Sequence, residues 1–236
     1  MKLRAPSVPL ITVDPYFSMW SPYDKLTDGS VEHWTGKPNS FNGTVFVDGK
    51  EYRFMGAGSA PAMAQMGLDI DALSTEYRFT GGGILLKVKF TALFLPNDLT
   101  VFTRPVGMIY VSWEALDGES HTVSVRITAS EELCLDRANS DEVSVEMLSH
   151  NGITSAKMGS VSQPVLARCG DDVRIDWGYF YLSSDGGEAI TFTDNLMTFV
   201  GICRDVPESG ALFTAAYDDI ESIVYFGDSL RSFWNR

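Results

Sequence analysis

The sequence predicts an all-β fold: a large antiparallel β-sandwich (super-sandwich) with an irregular N-terminal arm and a short C-terminal helix. Three observations carry this reading. Apolar residues recur with a period of two, Gly-rich turn signals fall between the alternating runs at strand-like spacing, and almost nothing with helical period interrupts them. With 236 residues, 44% of them apolar and 12% aromatic, the chain can bury about 70% of its extended surface, so disorder is excluded as the main state.

The first 40 residues hold five prolines and the aromatics Tyr16, Phe17, Trp20, Tyr23 and Trp34. Proline fixes φ and removes a backbone donor, so this arm should be extended and irregular, yet its rings are too apolar to leave in water. It is expected to pack on the sandwich. Asp48-Gly49 separates two alternating runs by two residues, the pattern of a type I′ hairpin in which both positions take positive φ. The region 56–73 has no period of two and reads as a short helix or a loop.

Alternation then resumes. Leu86, Val88, Phe90, Ala92 and Phe94 share one face against Lys87, Lys89 and Thr91, and Val123, Val125 and Ile127 alternate with polar neighbours. Further strands are expected over 43–47, 51–55, 75–80, 108–115, 142–149, 173–183, 188–193, 197–203 and 211–217. From Asp218 to Trp234 the apolar residues fall near one helical face, with Asp218-Asp219 at the end favoured by carboxylates, although Gly227 weakens the pattern. The domain reading is therefore an arm with the first hairpin over 1–56, a sandwich over 57–217, and a helical linker start over 218–236. So apolar a terminal segment suggests that the chain is a fragment with a partner domain beyond Arg236.

Eighteen Lys plus Arg against 31 Asp plus Glu give a net charge of −13, which repels phosphate backbones and anionic lipid. Neither nucleic acid nor a membrane is an expected partner. The N-terminus shows no signal peptide, which predicts a cytoplasmic protein, or a secreted or periplasmic one if a leader was removed. Cys134, Cys169 and Cys203 are far apart and odd in number, so they read as reduced, buried thiols. No nucleophile elbow, phosphate loop or paired metal-ligand motif occurs, and no metal or cofactor is expected.

Two clusters could carry chemistry. Around His33, the run Asp28-Gly29-Ser30-Val31-Glu32-His33-Trp34 sets an imidazole, carboxylates and an indole in one loop. His33 could act as a general base with Asp28 orienting it and Trp34 against substrate; the plainer reading is a clamp, in which Trp34 plugs the sandwich and His33 satisfies a backbone carbonyl. The second cluster is Arg174-Ile175-Asp176-Trp177-Gly178-Tyr179-Phe180-Tyr181, where Asp176 and Trp177 are candidate substrate contacts. On a single strand, Trp177, Tyr179 and Tyr181 would share one face, the pattern of a core, an inter-domain contact or a sugar-stacking surface. His121 and His150 read as surface turn residues, and Asp218-Asp219 as either a carboxylate pair or a helix start.

The run from Val8 through Asp14-Pro15-Tyr16-Phe17-Ser18-Met19-Trp20-Ser21, with Leu26-Thr27-Asp28, His33-Trp34-Thr35-Gly36 and the segment from Val47 to Gly56, resembles the N-terminal region of the glutaminase A family. The strings Ile175-Asp176-Trp177-Gly178-Tyr179, Ala216-Tyr217-Asp218-Asp219-Ile220 and Tyr225-Phe226-Gly227 resemble later landmarks of that family. The resemblance implies an N-terminal β-sandwich followed by a helical α/α toroid domain in the same polypeptide. It also implies hydrolysis of L-glutamine to L-glutamate and ammonia by the whole protein, without a nucleotide cofactor. On that reading this part alone is inactive; the alternatives are a carbohydrate-binding module that takes a glycan, or a structural sandwich attached to a glycoside hydrolase-like enzyme.

Overall fold

Alternation becomes two antiparallel sheets in the computed structural model, which describes residues 5–168, 170 and 172–235. The chain runs through β1 (Val8–Thr12), β2 (Ser18–Ser21), β3 (Phe41–Val47), β4 (Lys50–Met55), β5 (Ala64–Ile70), β6 (Ser74–Gly81) and β7 (Ile84–Ala92). A single helical turn, α1 (Leu99–Phe102), leads into β8 (Val106–Ala115), β9 (Val123–Ser130) and a 3-10 turn at Glu131–Leu133. Then come β10 (Val143–His150), β11 (Ile153–Ser160), β12 (Tyr179–Ser184), β13 (Glu188–Asp194), β14 (Met197–Asp205) and β15 (Ala211–Asp218). A small hairpin, β16 (Ile223–Tyr225) and β17 (Asp228–Leu230), and a 3-10 turn at Phe233–Asn235 end the described chain.

The large sheet has eight strands in the order β10-β11-β12-β15-β8-β7-β6-β5, and the small one has five, β13-β14-β9-β3-β4. Their facing side chains form one core. Phe79, Leu86, Val88, Ile109, Val111, Phe180 and Phe213 come from the large sheet, and Phe41, Val45, Phe54, Val125, Ile127 and Ile202 from the small one. Each such side chain contributes about 1.5–3 kcal/mol on burial. The architecture is the expected all-β sandwich.

The arm is more ordered than its prolines suggest. β1 and β2 pair as a hairpin with a register shift between Pro9 and Ile11. Its apolar side chains Val8, Ile11, Phe17 and Met19 are buried in the common core. The expected turn at Asp48-Gly49 joins β3 to β4 with φ of 50° and 76°. Two strands of the large sheet went unseen in the sequence. β5 does alternate, contrary to the aperiodic reading of 56–73, but on this edge strand the alternating Ala64, Met66 and Ile70 face solvent and a bulge shifts the register between Gln65 and Gly67. The buried face of β11 is only Ala156, Met158 and a serine, too weakly apolar to signal a strand.

Two expectations are corrected. The stretch 173–183 is not one strand: β12 begins at Tyr179 because Gly178 takes φ 77°, which leaves Trp177 buried while Tyr179 and Tyr181 are half-buried at alternate positions of β12. The helix over 218–234 is absent as well. Ile223–Tyr225 and Asp228–Leu230 pair across Phe226 and Gly227, whose φ of 48° and 91° suit a two-residue hairpin and exclude a right-handed helix. Only the 3-10 turn at Phe233–Asn235 is helical there. No helix among the described residues is long and apolar enough to cross a membrane. Cys134 is buried and free, Cys203 is half-buried and free, and Cys169 lies outside the described residues.

His121 is more than a surface turn residue. Its Nδ1 lies 2.7 Å from Asp48 Oδ2 and its Nε2 3.0 Å from Asp117 Oδ1, so the imidazolium straps the β3–β4 turn to the β8–β9 loop. The two carboxylates, Asp48 first, raise the His121 pKa above its ordinary 6.5. Asp48 lies below its ordinary 3.8 chiefly through His121, and Asp117 through the Glu119 N–H and then His121. The histidine contribution is therefore complete below pH 6.5 and is lost as pH rises through the raised value, while the carboxylate contributions are complete above pH 3.8 and are lost as pH falls. Melting temperatures of the wild type and His121→Gln should differ most between those limits and converge on the alkaline side. A gap that stays constant up to pH 9 would contradict the strap.

Candidate functional site

Two long, largely irregular segments, 22–40 and 161–178, are laced together against the β1–β2 turn. The turn is built by Asp14, whose Oδ1 accepts the N–H groups of Tyr16 and Phe17, both at 2.8 Å. This Asx geometry presents the Pro15 carbonyl to the 22–40 segment. His33 Nε2 donates to it at 2.9 Å and Trp34 Nε1 donates to it at 2.7 Å. His33 itself is anchored by backbone bonds, its N–H to the Lys37 carbonyl and its carbonyl from Gly36 N–H.

His33 is buried, with Nδ1 3.0 Å from Thr35 Oγ1 and accepting the Thr35 N–H at 3.4 Å. That assigns the proton to Nε2. Burial lowers its pKa, the Pro15 carbonyl opposes this, and the Arg174 charge adds to the lowering, so the ring is neutral at physiological pH. This geometry is a clamp with both nitrogens occupied. Trp34, by contrast, does not plug the sandwich: it is 52% exposed. Asp28 sits apart on an exposed turn, where its carboxylate accepts the Lys25 N–H at 3.1 Å. That turn docks on β5 through Leu26 N–H to Gln65 Oε1.

The second predicted cluster meets the first. Lys37 pairs with Asp172 at 2.8 Å, and Arg174 Nη1 donates to the Pro38 carbonyl at 2.9 Å. Arg174 also bonds the Asp136 carbonyl, while Asp136 pairs with Arg168 at 2.7 Å. Arg168 Nε lies 3.5 Å from Asp176 Oδ2. Asp176 is 5% exposed and its Oδ1 is enclosed without a hydrogen-bond partner; burial raises its pKa and Arg168 opposes the rise. Trp177 is buried, its indole N–H donates to the Glu221 carbonyl at 3.2 Å, and its ring meets Tyr16 edge-on with centroids 6.0 Å apart. Thus His33, Trp34, Asp176 and Trp177 converge on one end of the sandwich, and Asp28 stands outside.

Beneath this junction lies a cleft of about 670 Å³ lined by Asp14, Tyr16, Arg104, Trp177, Asp219 and Phe233, among others. Burial raises the Asp219 pKa, the Ser222 hydroxyl opposes it, and the charges of Asp218 and Asp14 add to the rise. Sequence reasoning passed over Asp14, Tyr16 and Arg104. An Asp-Pro dipeptide favours turn initiation, which is the one local signal at Asp14-Pro15, and it does not announce the cleft. No group of three or more His, Cys, Asp or Glu side chains among the described residues is placed to hold a metal ion.

An all-β sandwich carrying its candidate groups on paired loops is the class that the geometry defines. Residues 73–200, more than half of the chain, match the family described as a domain of unknown function (DUF5127), and the chain belongs to that family. Residues 1–65 match a second domain of unknown function (DUF4964). The chain is also similar to Glutaminase A of Aspergillus oryzae, with 24% identity over 200 residues. That match covers 80% of this chain and 28% of the relative, so the chain corresponds to a minor part of the longer protein.

Proposed function

We propose that the chain is the N-terminal, non-catalytic β-sandwich part of a glutaminase A-like amidohydrolase that converts L-glutamine to L-glutamate and ammonia. It packs on a larger C-terminal helical domain of the same polypeptide. The observation that carries this reading is the similarity to Glutaminase A across 80% of the chain. Exposed large apolar side chains support a docked partner: Tyr16 and Trp34 at the loop junction, Phe94, Leu99 and Phe102 around α1, and Tyr225, Phe226 and Phe233 in the terminal segment. Tyr16, Phe94, Phe102 and Phe233 gather around one cleft, and exposed apolar surface gathered in this way marks an interface. In this reading Trp34 faces the partner or its substrate, and His33 is a positioning residue that holds Pro15 and Trp34. Asp176 and Trp177 brace the same junction from the 161–178 segment, while Asp28 orients only its own turn.

The test is ammonia release from L-glutamine by the longer protein. Its absence overturns the activity. His33→Ala there should raise KM and lower the melting temperature while the pH profile of kcat keeps its shape. A kcat collapse with a lost pH limb and unchanged melting would make His33 catalytic. The carbohydrate-binding alternative draws less support, because Trp177 is buried and the Lys157 ammonium sits 4.1 Å over the Tyr179 ring.

A further inference from the structure

We infer that the cleft between the β1–β2 turn and the 93–105 segment binds a free α-amino acid, its ammonium received by Asp14 and Asp219 and its carboxylate by Arg104. The choice of glutamine as that amino acid rests on the amidohydrolase reading. The volume, about 670 Å³, is that of a small-molecule site.

The charges select the ligand. Asp219 is half-buried, and Asp14 and Asp218 both act on it electrostatically. Carboxylates gathered where water is partly excluded are stabilised by a cation. The rim adds aromatic faces that attract an ammonium group and cover aliphatic carbons: Phe94 and Phe102 meet edge-to-face at 5.1 Å, and Tyr16 and Phe233 complete it. A bare cation, however, would meet Arg104, whose exposed side chain lines both this cleft and a neighbouring one of about 550 Å³ that holds Asp218 and Tyr181. A simple anion would be repelled by the carboxylates. A zwitterion with a short carbon skeleton satisfies both signs at once. The Ser232 hydroxyl in the same wall is shielded and lacks a hydrogen-bond partner, which leaves a polar group for the ligand's amide or carboxylate.

Trp177 and Trp234 line the cleft, so indole fluorescence reports its occupation. Titration of the 236-residue chain with L-glutamine should give a saturable change. Glutaramic acid, which lacks the ammonium, and 4-aminobutanamide, which lacks the carboxylate, should each bind about tenfold more weakly, as expected for loss of one charge-assisted contact. Arg104→Met, at an exposed position that does not support the fold, should weaken L-glutamine and leave 4-aminobutanamide unchanged. Asp219→Asn should weaken L-glutamine and leave glutaramic acid unchanged. No saturable binding, or equal losses on all probes in Arg104→Met, overturns the site. If the longer protein hydrolyses glutamine while this chain binds none, the cleft proposal fails and the amidohydrolase reading stands. Binding here without ammonia release by the longer protein is the reverse.

Discussion

Asp136→Ala is expected to destabilise the chain by about 3 kcal/mol, the cost of removing a buried carboxylate that accepts charge-assisted and backbone hydrogen bonds beside a buried guanidinium. The carboxylate is buried. It pairs with Arg168 at 2.7 Å and with Arg137 at 3.6 Å, and it accepts the Arg174 backbone N–H at 3.3 Å. Arg174 is buried too; its guanidinium keeps its bonds to the Asp136 and Pro38 carbonyls but loses the favourable charge of the Asp136 carboxylate while still enclosed. At about 2–4 °C per kcal/mol for a chain of this size, the melting temperature should fall by about 6–12 °C. Arg137→Ala is the control, because that side chain is 79% exposed and its pair should contribute less than about 1 kcal/mol. Equal, small effects of both substitutions on the urea midpoint would refute the network.

Gly178→Ala should be nearly as damaging, for a steric reason. The residue has φ 77°, and an added Cβ would lie 2.2 Å from the Asp218 carbonyl oxygen and 2.8 Å from the Asp219 Cα. Both neighbours are backbone, so neither can swing aside. Positive φ alone costs a side-chain-bearing residue about 1–2 kcal/mol. Moving the end of β15 away adds to it, for a total of about 3 kcal/mol, near the upper range for single substitutions. The peptide is also gripped on both sides by Gln163, whose Oε1 accepts the Gly178 N–H at 2.6 Å and whose Nε2 donates to its carbonyl at 3.1 Å. Local opening should therefore reach the 161–178 segment first, read as amide exchange at Arg174–Trp177 rising more than in β7. A variant melting within 2 °C of wild type would show that the junction yields.

The sheets were legible where one face is strongly apolar. β7 and β9 alternate without interruption, and Asp48-Gly49 announces its own turn chemistry. β5 was overlooked although Ala64, Met66, Leu68 and Ile70 alternate, because the run is short, follows an Ala- and Met-rich stretch and, at the sheet edge, buries none of its side chains. In the terminal segment, Ile223, Val224, Leu230 and Trp234 happen to match helical spacing, but Phe226 in the left-handed region cannot belong to a helix. Both loop clusters of the candidate site could be picked out as unusual strings of rings and charges. Their meeting could not. It depends on the Pro15 carbonyl serving two donors from residues 33 and 34, and on Arg174 reaching Pro38, contacts that exist only after the strands are ordered.

The order of those strands has a consequence for where this chain can be divided. The two family segments, 1–65 and 73–200, meet inside the sheets rather than across a linker. β3, from the first segment, pairs with β9 of the second along seven residues from Phe41 to Val47. β15, which follows both, lies between β12 and β8 in the middle of the large sheet. A piece bounded by the first match would expose the hydrogen-bonding edge of β3, and one bounded by the second the edges of β9 and β8, together with the apolar faces they present to the core. The two segments are thus halves of one cooperative unit that fold together, and a boundary drawn on sequence similarity is not a boundary in the molecule.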